Sequence, residues 1–251
     1  MVQSQDHSFV EVLDAEYTDL ASVVTSIAGE QWNLATSAQG WSIKNSLSHL
    51  ADTEEIARHT LTGGPRSLAK EVERLGDRVI AGGVAKGQAM TGADVFRWFE
   101  EASDYNRAAL RRTDTNLRVP WGLGMSWRSF VTARLMELWA HGLEIRTALH
   151  EPGTDTGRLE YIAWLSFATL PYAFDVARVE IPAGRSLRLE LVGAEGQEWN
   201  FGTDDATDII RGDAGLWCRR AVQRLTVEEA GDLKRTGPLA ELAFRNARCF
   251  L

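Results

Sequence analysis

A glutamate and a histidine four residues apart, Glu137 and His141, lie inside the apolar stretch 134–148. On a helix that spacing puts both side chains on one face, one turn apart. A carboxylate and an imidazole aimed the same way can hold two corners of a divalent metal site. His49, in the helical stretch 41–57, is the candidate for the third corner. Two histidines and a glutamate resemble a three-ligand catalytic zinc site that keeps an open position.

Such pairs are common on helices, and most are solvated faces or modest contacts. Here the surroundings argue for more. Glu137 is flanked by Met136, Leu138 and Trp139, a costly place for an unpaired carboxylate, and buried polar groups need partners. Asp52, three residues after His49, and Glu144, three after His141, are each candidates for a fourth ligand or for an acceptor that fixes an imidazole tautomer. Arg146 is a candidate partner for Glu144 or for a substrate carboxylate. His59 faces about 80° away from His49 on the same helix and is a weaker alternative ligand. His7 reads as a solvated side chain, and His150 as a helix-end residue.

The elements that must position these residues are mostly helices. Phe9, Leu13, Leu20, Val24 and Ile27 form one apolar stripe, with Gly29 as a stop. Ser42 is the expected N-cap of a second helix, whose buried side carries Ile43, Leu47, Leu50, Ala57 and Leu61 and which ends at Gly63-Gly64-Pro65. Leu68, Val72, Leu75 and Val79 predict a helix, and Gly82-Gly83 and Gly87 predict a flexible loop after it. Thr91 and Asp94 form a capping box for a helix carrying Val95, Phe96, Phe99, Ala102 and Leu110. An irregular loop, 113–126, leads to Ser126, the cap of the helix bearing Glu137 and His141. Four long helices with short or irregular connections predict an antiparallel four-helix bundle, in which metal sites are built from inward-facing side chains.

After His150 the texture changes. A helix is expected over 158–177, kinked or shortened at Pro171. Leu187, Leu189 and Leu191 alternate with charged residues as in a half-buried strand, with 198–201 as its hairpin partner. A further strand is expected over 206–211, a helix over 212–225, and a last helix over 239–249. The fold class is therefore α+β, with a helical bundle at 1–154 and a smaller α+β domain at 155–251.

The chain has 251 residues and a formal net charge of −8. That charge argues against nucleic acids or anionic membranes as partners recognised by general electrostatics. Cys218 and Cys249 make neither a disulfide framework nor a CxxC pair, and Cys218 reads as a small buried side chain. The N-terminus lacks a basic region followed by an apolar core, and no apolar run approaches transmembrane length, so a cytoplasmic protein is expected. No GxSxG, Walker loop, GxGxxG or HExxH is present.

Two segments together, Trp41-Ser42-Ile43-Lys44-Asn45 leading to His49-Leu50, and Glu137-x-x-x-His141-x-x-Glu144-Ile145-Arg146, resemble the signatures of the mycothiol-dependent maleylpyruvate isomerase family. That family belongs to the DinB-like group of metal-binding four-helix bundles. The resemblance implies that His49, Glu137 and His141 bind a divalent metal, usually taken as zinc. It implies a C-terminal domain similar to sterol-carrier-type folds, with a functional arginine near the end of the helix after Gly212-Asp213-Ala214. Arg219, Arg220 and Arg224 compete for that role. The family's Gly-Arg ending is replaced by Gln223-Arg224, and Arg224 is favoured.

The activity implied is that of a metal-dependent enzyme using mycothiol or another small thiol on a small electrophilic substrate, by cis–trans isomerisation or thiol S-transfer. A non-catalytic metal-binding module or a small-ligand carrier is the alternative. The state expected is a monomer or homodimer. An open fourth position would mark the enzyme; closure by Asp52 or Glu144 would mark a structural site.

Overall fold

The structure, a computed structural model, describes residues 7–151, 153 and 155–249. The chain divides into two compact units, Met1–Gly153 and Thr154–Leu251.

The first unit holds α1 (Ser8–Thr25), α2 (Ile43–Thr62), α3 (Leu68–Leu75), α4 (Val79–Gln88), α5 (Gly92–Leu110) and α6 (Trp127–Ala148). A two-residue hairpin, β1 (Arg118–Val119) and β2 (Met125–Ser126), precedes α6. The caps follow local chemistry. Ser42 accepts from the Asn45 amide while Asn45 Oδ1 accepts from the Ser42 amide, and Thr91 and Ser126 cap α5 and α6 in the same sense. Gly63 ends α2 in the left-handed region at φ 67°. Helix α1 stops at Thr25, before the expected Gly29.

Contacts along the helices give their directions. Arg128 covers the Phe9 ring at 4.5 Å near the starts of α6 and α1, and Arg146 reaches the Asp19 carbonyl at 3.2 Å near their ends. These two helices run parallel. Lys44 reaches the Met90 carbonyl at 3.1 Å and Asn106 reaches Glu54 at 2.5 Å, so α2 and α5 also run parallel. Ser46 meets Glu144 and Glu54 meets Arg134, so α2 and α6 are antiparallel. The bundle is therefore up-down-down-up, which requires a long crossover between its second and third long helices.

That crossover carries α3 and α4, and here two sequence expectations are corrected. Residues 79–88 form a helix rather than a flexible loop, because tertiary packing overrides poor propensity. A Cβ added at Gly83 would lie 2.4 Å from the Asp52 Cβ and 2.8 Å from the Ser48 carbonyl oxygen, so glycine lets α4 approach the α2 backbone. The α3 stripe is also not the expected one. Val72 is exposed, and the buried residue is Glu71, held by Arg66 and Arg74.

The second unit holds α7 (Leu159–Ala168), α8 (Leu170–Ala177), β3 (Leu187–Val192), β4 (Glu198–Phe201), β5 (Asp208–Asp213), α9 (Ala214–Ala221), β6 (Lys234–Thr236) and α10 (Pro238–Asn246). The sheet order is β4-β3-β5-β6, with β3 and β5 parallel and the outer pairs antiparallel. The helix expected over 158–177 is interrupted at Thr169, with Pro171 in the first turn of α8. Gly212 and Asp213 belong to β5 rather than to the next helix, and Asp213 caps α9. Strand β6 lacks any apolar alternation and was not anticipated. The fold class is α+β.

Candidate metal centre

Helix α2 delivers His49 and helix α6 delivers Glu137 and His141 to one point inside the bundle. One donor atom from each lies within 4.8 Å of the other two, and among the described residues this is the one group of His, Cys, Asp or Glu that converges in this way. Glu137 Oε2 is 3.6 Å from His49 Nε2 and 3.5 Å from His141 Nε2. The imidazole centroids are 4.9 Å apart. Both histidines are buried; the Glu137 side chain keeps 22% of its surface exposed, so the cluster is approached from the carboxylate side.

Behind this cluster, Glu144 Oε2 lies 2.8 Å from His141 Nδ1 and also accepts from Ser46 Oγ at 3.4 Å. A carboxylate there holds the proton on Nδ1 and leaves Nε2 as the donor facing Glu137, the arrangement found behind metal-ligating histidines. Trp41 walls one side. Its ring stacks over His141 at 5.8 Å and tilts over His49 at 5.1 Å.

The charges of the cluster act strongly on one another. Burial opposes ionisation of Glu137, but hydrogen bonds with His141 and His49 outweigh it and hold its pKa well below the usual value. Burial likewise opposes the imidazolium of His141, yet Glu137 and Glu144 outweigh it and raise the pKa to about 9. A proton thus fills part of the role that a divalent ion would take between these groups. Two imidazole nitrogens and one carboxylate oxygen are a donor set suited to zinc and to other borderline divalent ions.

The remaining candidates separate cleanly. Asp52 is turned away and bonds Arg66 at 2.7 Å. Glu144 sits behind His141 rather than beside Glu137. Neither closes a fourth position. Arg146 donates to the Asp19 carbonyl, not to Glu144. His59 lies outside the cluster, with Nε2 2.9 Å from Arg58 Nη2. His7 is not a solvated side chain: its ring packs edge-on against Trp127 at 5.4 Å. His150 takes φ 58° just past α6, at the helix end.

In the second unit, Arg219 is held by two bonds to Asp155, at 2.8 and 2.7 Å. Arg220 is buried and donates to the Arg245 carbonyl, and Arg224 is half-buried and donates to the Val222 carbonyl. Gln223 takes φ 57°, the left-handed region that glycine adopts without cost. Sequence reasoning missed Arg134. It is buried at 2% exposure, and the cue was its place one turn before Glu137 on the same face.

The profile of a family described as the mycothiol maleylpyruvate isomerase N-terminal domain matches residues 13–146. This chain belongs to that family. Uncharacterized proteins from two strains of Mycobacterium tuberculosis are each 32% identical to it over 238 residues, covering 89% of this chain and 90% of theirs. Among solved structures, the mycothiol-dependent maleylpyruvate isomerase matches with a TM-score of 0.60 at 13% identity, covering 93% of this chain and 95% of that one. A variant of that enzyme with one histidine changed to alanine matches with a TM-score of 0.61 at 12% identity, with the same coverage. At such identity these likenesses establish the fold. His49, Glu137 and His141, which lie in the two segments that carry the family resemblance, are the residues whose donor atoms converge.

Proposed function

We propose that this chain is a metal-dependent enzyme that activates a low-molecular-weight thiol for attack on a small electrophilic substrate. His49, Glu137 and His141 would hold the ion, with zinc the ion proposed. Bound there, the ion would stabilise a thiolate near neutral pH. The chain's own residues do the rest. Glu144 orients His141, Trp41 keeps water from the imidazole faces, and the exposed side of Glu137 leaves an approach.

Mycothiol is the thiol proposed, on the strength of family membership and of the names of the structurally similar enzymes. The internal cysteines are poor substitutes. Both are buried in the second unit, and burial pushes the Cys218 thiol well above its ordinary pKa. Two reaction classes suit an activated thiol: cis–trans isomerisation of an electron-poor alkene such as maleylpyruvate, after which the thiol leaves, and S-transfer, in which it stays attached. Arg224 is proposed to hold a substrate carboxylate. Its support is its place just past the end of α9, where the family resemblance expects a functional arginine. A small-molecule substrate is proposed on the strength of family membership.

The observation that carries this reading is the convergence of three donors with Asp52 and Glu144 both committed elsewhere. The test is to load the protein with cobalt and titrate it with mycothiol. A sulfur-to-metal charge-transfer band, followed by turnover of maleylpyruvate or an electrophile, is expected. Metal binding with no thiol band would favour the non-catalytic metal-binding alternative.

A further inference from the structure

Arg134 makes more contacts than charge balance requires. Its Nε donates to Glu54 Oε1 at 2.9 Å, and both side chains are 2% exposed. Its Nη2 donates to Thr53 Oγ1 at 3.1 Å. The Thr53 hydroxyl in turn lies 3.0 Å from the carbonyls of both His49 and Leu50, one turn earlier on α2. The other Glu54 oxygen accepts from Asn106 of α5. Above the guanidinium lies the Trp121 ring at 5.4 Å, itself packed edge-on against Phe130.

A buried ion pair seldom adds stability over well-packed apolar residues of the same volume. Geometry is what this one adds. The fork of an arginine can grip two acceptors in fixed relative positions, which the single ammonium of a lysine cannot do. Here the two acceptors are consecutive residues of α2, on the turn after His49, and the arginine is on α6, one turn before Glu137. Metal sites tolerate only a few tenths of an ångström of ligand displacement.

We propose that Arg134 is a positioning residue for the metal ligands: by gripping Thr53 and Glu54 it fixes the separation of α2 and α6 one turn away from His49 and Glu137. This rests on the reading of His49, Glu137 and His141 as ligands and adds the residue that sets their spacing.

The test uses three variants of the full chain: Arg134→Met with Glu54→Gln, Thr53→Val, and Arg134→Lys. The first removes both buried charges together. The other two keep the ion pair and remove the Thr53 contact. Three quantities are read: the zinc Kd by chelator competition, the visible spectrum of the cobalt-loaded protein, and the thermal midpoint without metal. The double variant is expected to keep a near-wild-type midpoint while its Kd rises about 10- to 100-fold, as for loss of an outer-sphere partner, with a changed cobalt spectrum. Thr53→Val and Arg134→Lys are expected to raise Kd about tenfold, the low end of that range.

Wild-type Kd and spectrum in folded variants would overturn the proposal, and if the double variant does not fold, the other two decide. A wild type that takes up no metal would overturn the ligand reading instead. The proposal would then be judged on the metal-free proteins, where unshifted imidazole proton resonances in Thr53→Val and Arg134→Lys overturn it and displaced ones support it.

Discussion

Helix α2 serves two polar clusters, and they are built in opposite ways. Towards the crossover, Asp52 and Glu55 join Glu71 around Arg66, with Arg74 and Lys86 at the edge. Three acids meet three bases, and the cluster neutralises itself. Towards α6, His49 joins Glu137, His141 and Glu144, a set that contains two carboxylates and two imidazoles. There the protein supplies convergent donors, a His141 whose pKa is raised, and the charge of Arg134 acting on Glu137. His49 and Asp52 are three residues apart, about 60° around the helix, yet one belongs to each cluster. The difference teaches where the two clusters diverge: guanidinium groups bond the carboxylates directly in the first, and imidazoles meet them in the second.

The largest effect that would sharpen this contrast is Arg66→Met. It leaves Asp52 buried without its counter-ion and Glu71 with Arg74 alone. Because Arg66 is itself partly exposed, a loss of about 2–3 kcal/mol in denaturant unfolding is expected, short of a fully buried pair. Zinc content should not change; a loss of metal would show that the clusters are not separate. Glu144→Ala is the mirror experiment. Zinc affinity is expected to fall about 10- to 100-fold as His141 loses its orienting carboxylate, and unchanged affinity in a chelator competition would remove Glu144 from the site. Gly83→Ala forces a methyl against the α2 backbone and is expected to cost about 1–2 kcal/mol by thermal unfolding, with metal binding retained.

A further effect is graded with pH. The folded His141 pKa, about 9, lies above its ordinary 6.5, so the metal-free protein holds its full contribution below about pH 6.5 and loses it as pH rises towards 9. The midpoint without metal should therefore fall across that window, more than in His141→Ala. Zinc affinity should move the other way and tighten as the competing proton leaves. A flat midpoint in the wild type would show that His141 is not held as an imidazolium.

The four long helices were legible because Leu13, Leu20, Ile43, Leu47, Val95 and Phe99 repeat at helical spacing and because Ser42, Thr91 and Ser126 are caps with local partners. The β3–β4 hairpin was legible from Leu189 and Leu191 alternating with Arg188 and Glu190. What escaped was decided at long range. Helix α4 forms despite its glycines because Gly83 faces Ser48 and Asp52, thirty or more residues away in sequence. Glu71 replaces Val72 on the buried face of α3 because Arg66 is there to meet it. Strand β6 exists because β5 offers an edge to Lys234, Arg235 and Thr236. At the site, spacing named His49, Glu137 and His141 but left Asp52 and Glu144 interchangeable. Only the arrival of Arg66 from the α2–α3 connection separates them.

The central claim is that three convergent donors hold a metal. Elemental mass spectrometry of the purified wild type beside His141→Ala tests it most directly. About one divalent ion per chain in the wild type, and none in the variant, is the result expected of a three-ligand site. No ion in the wild type even after incubation with zinc, or equal content in both proteins, would contradict it.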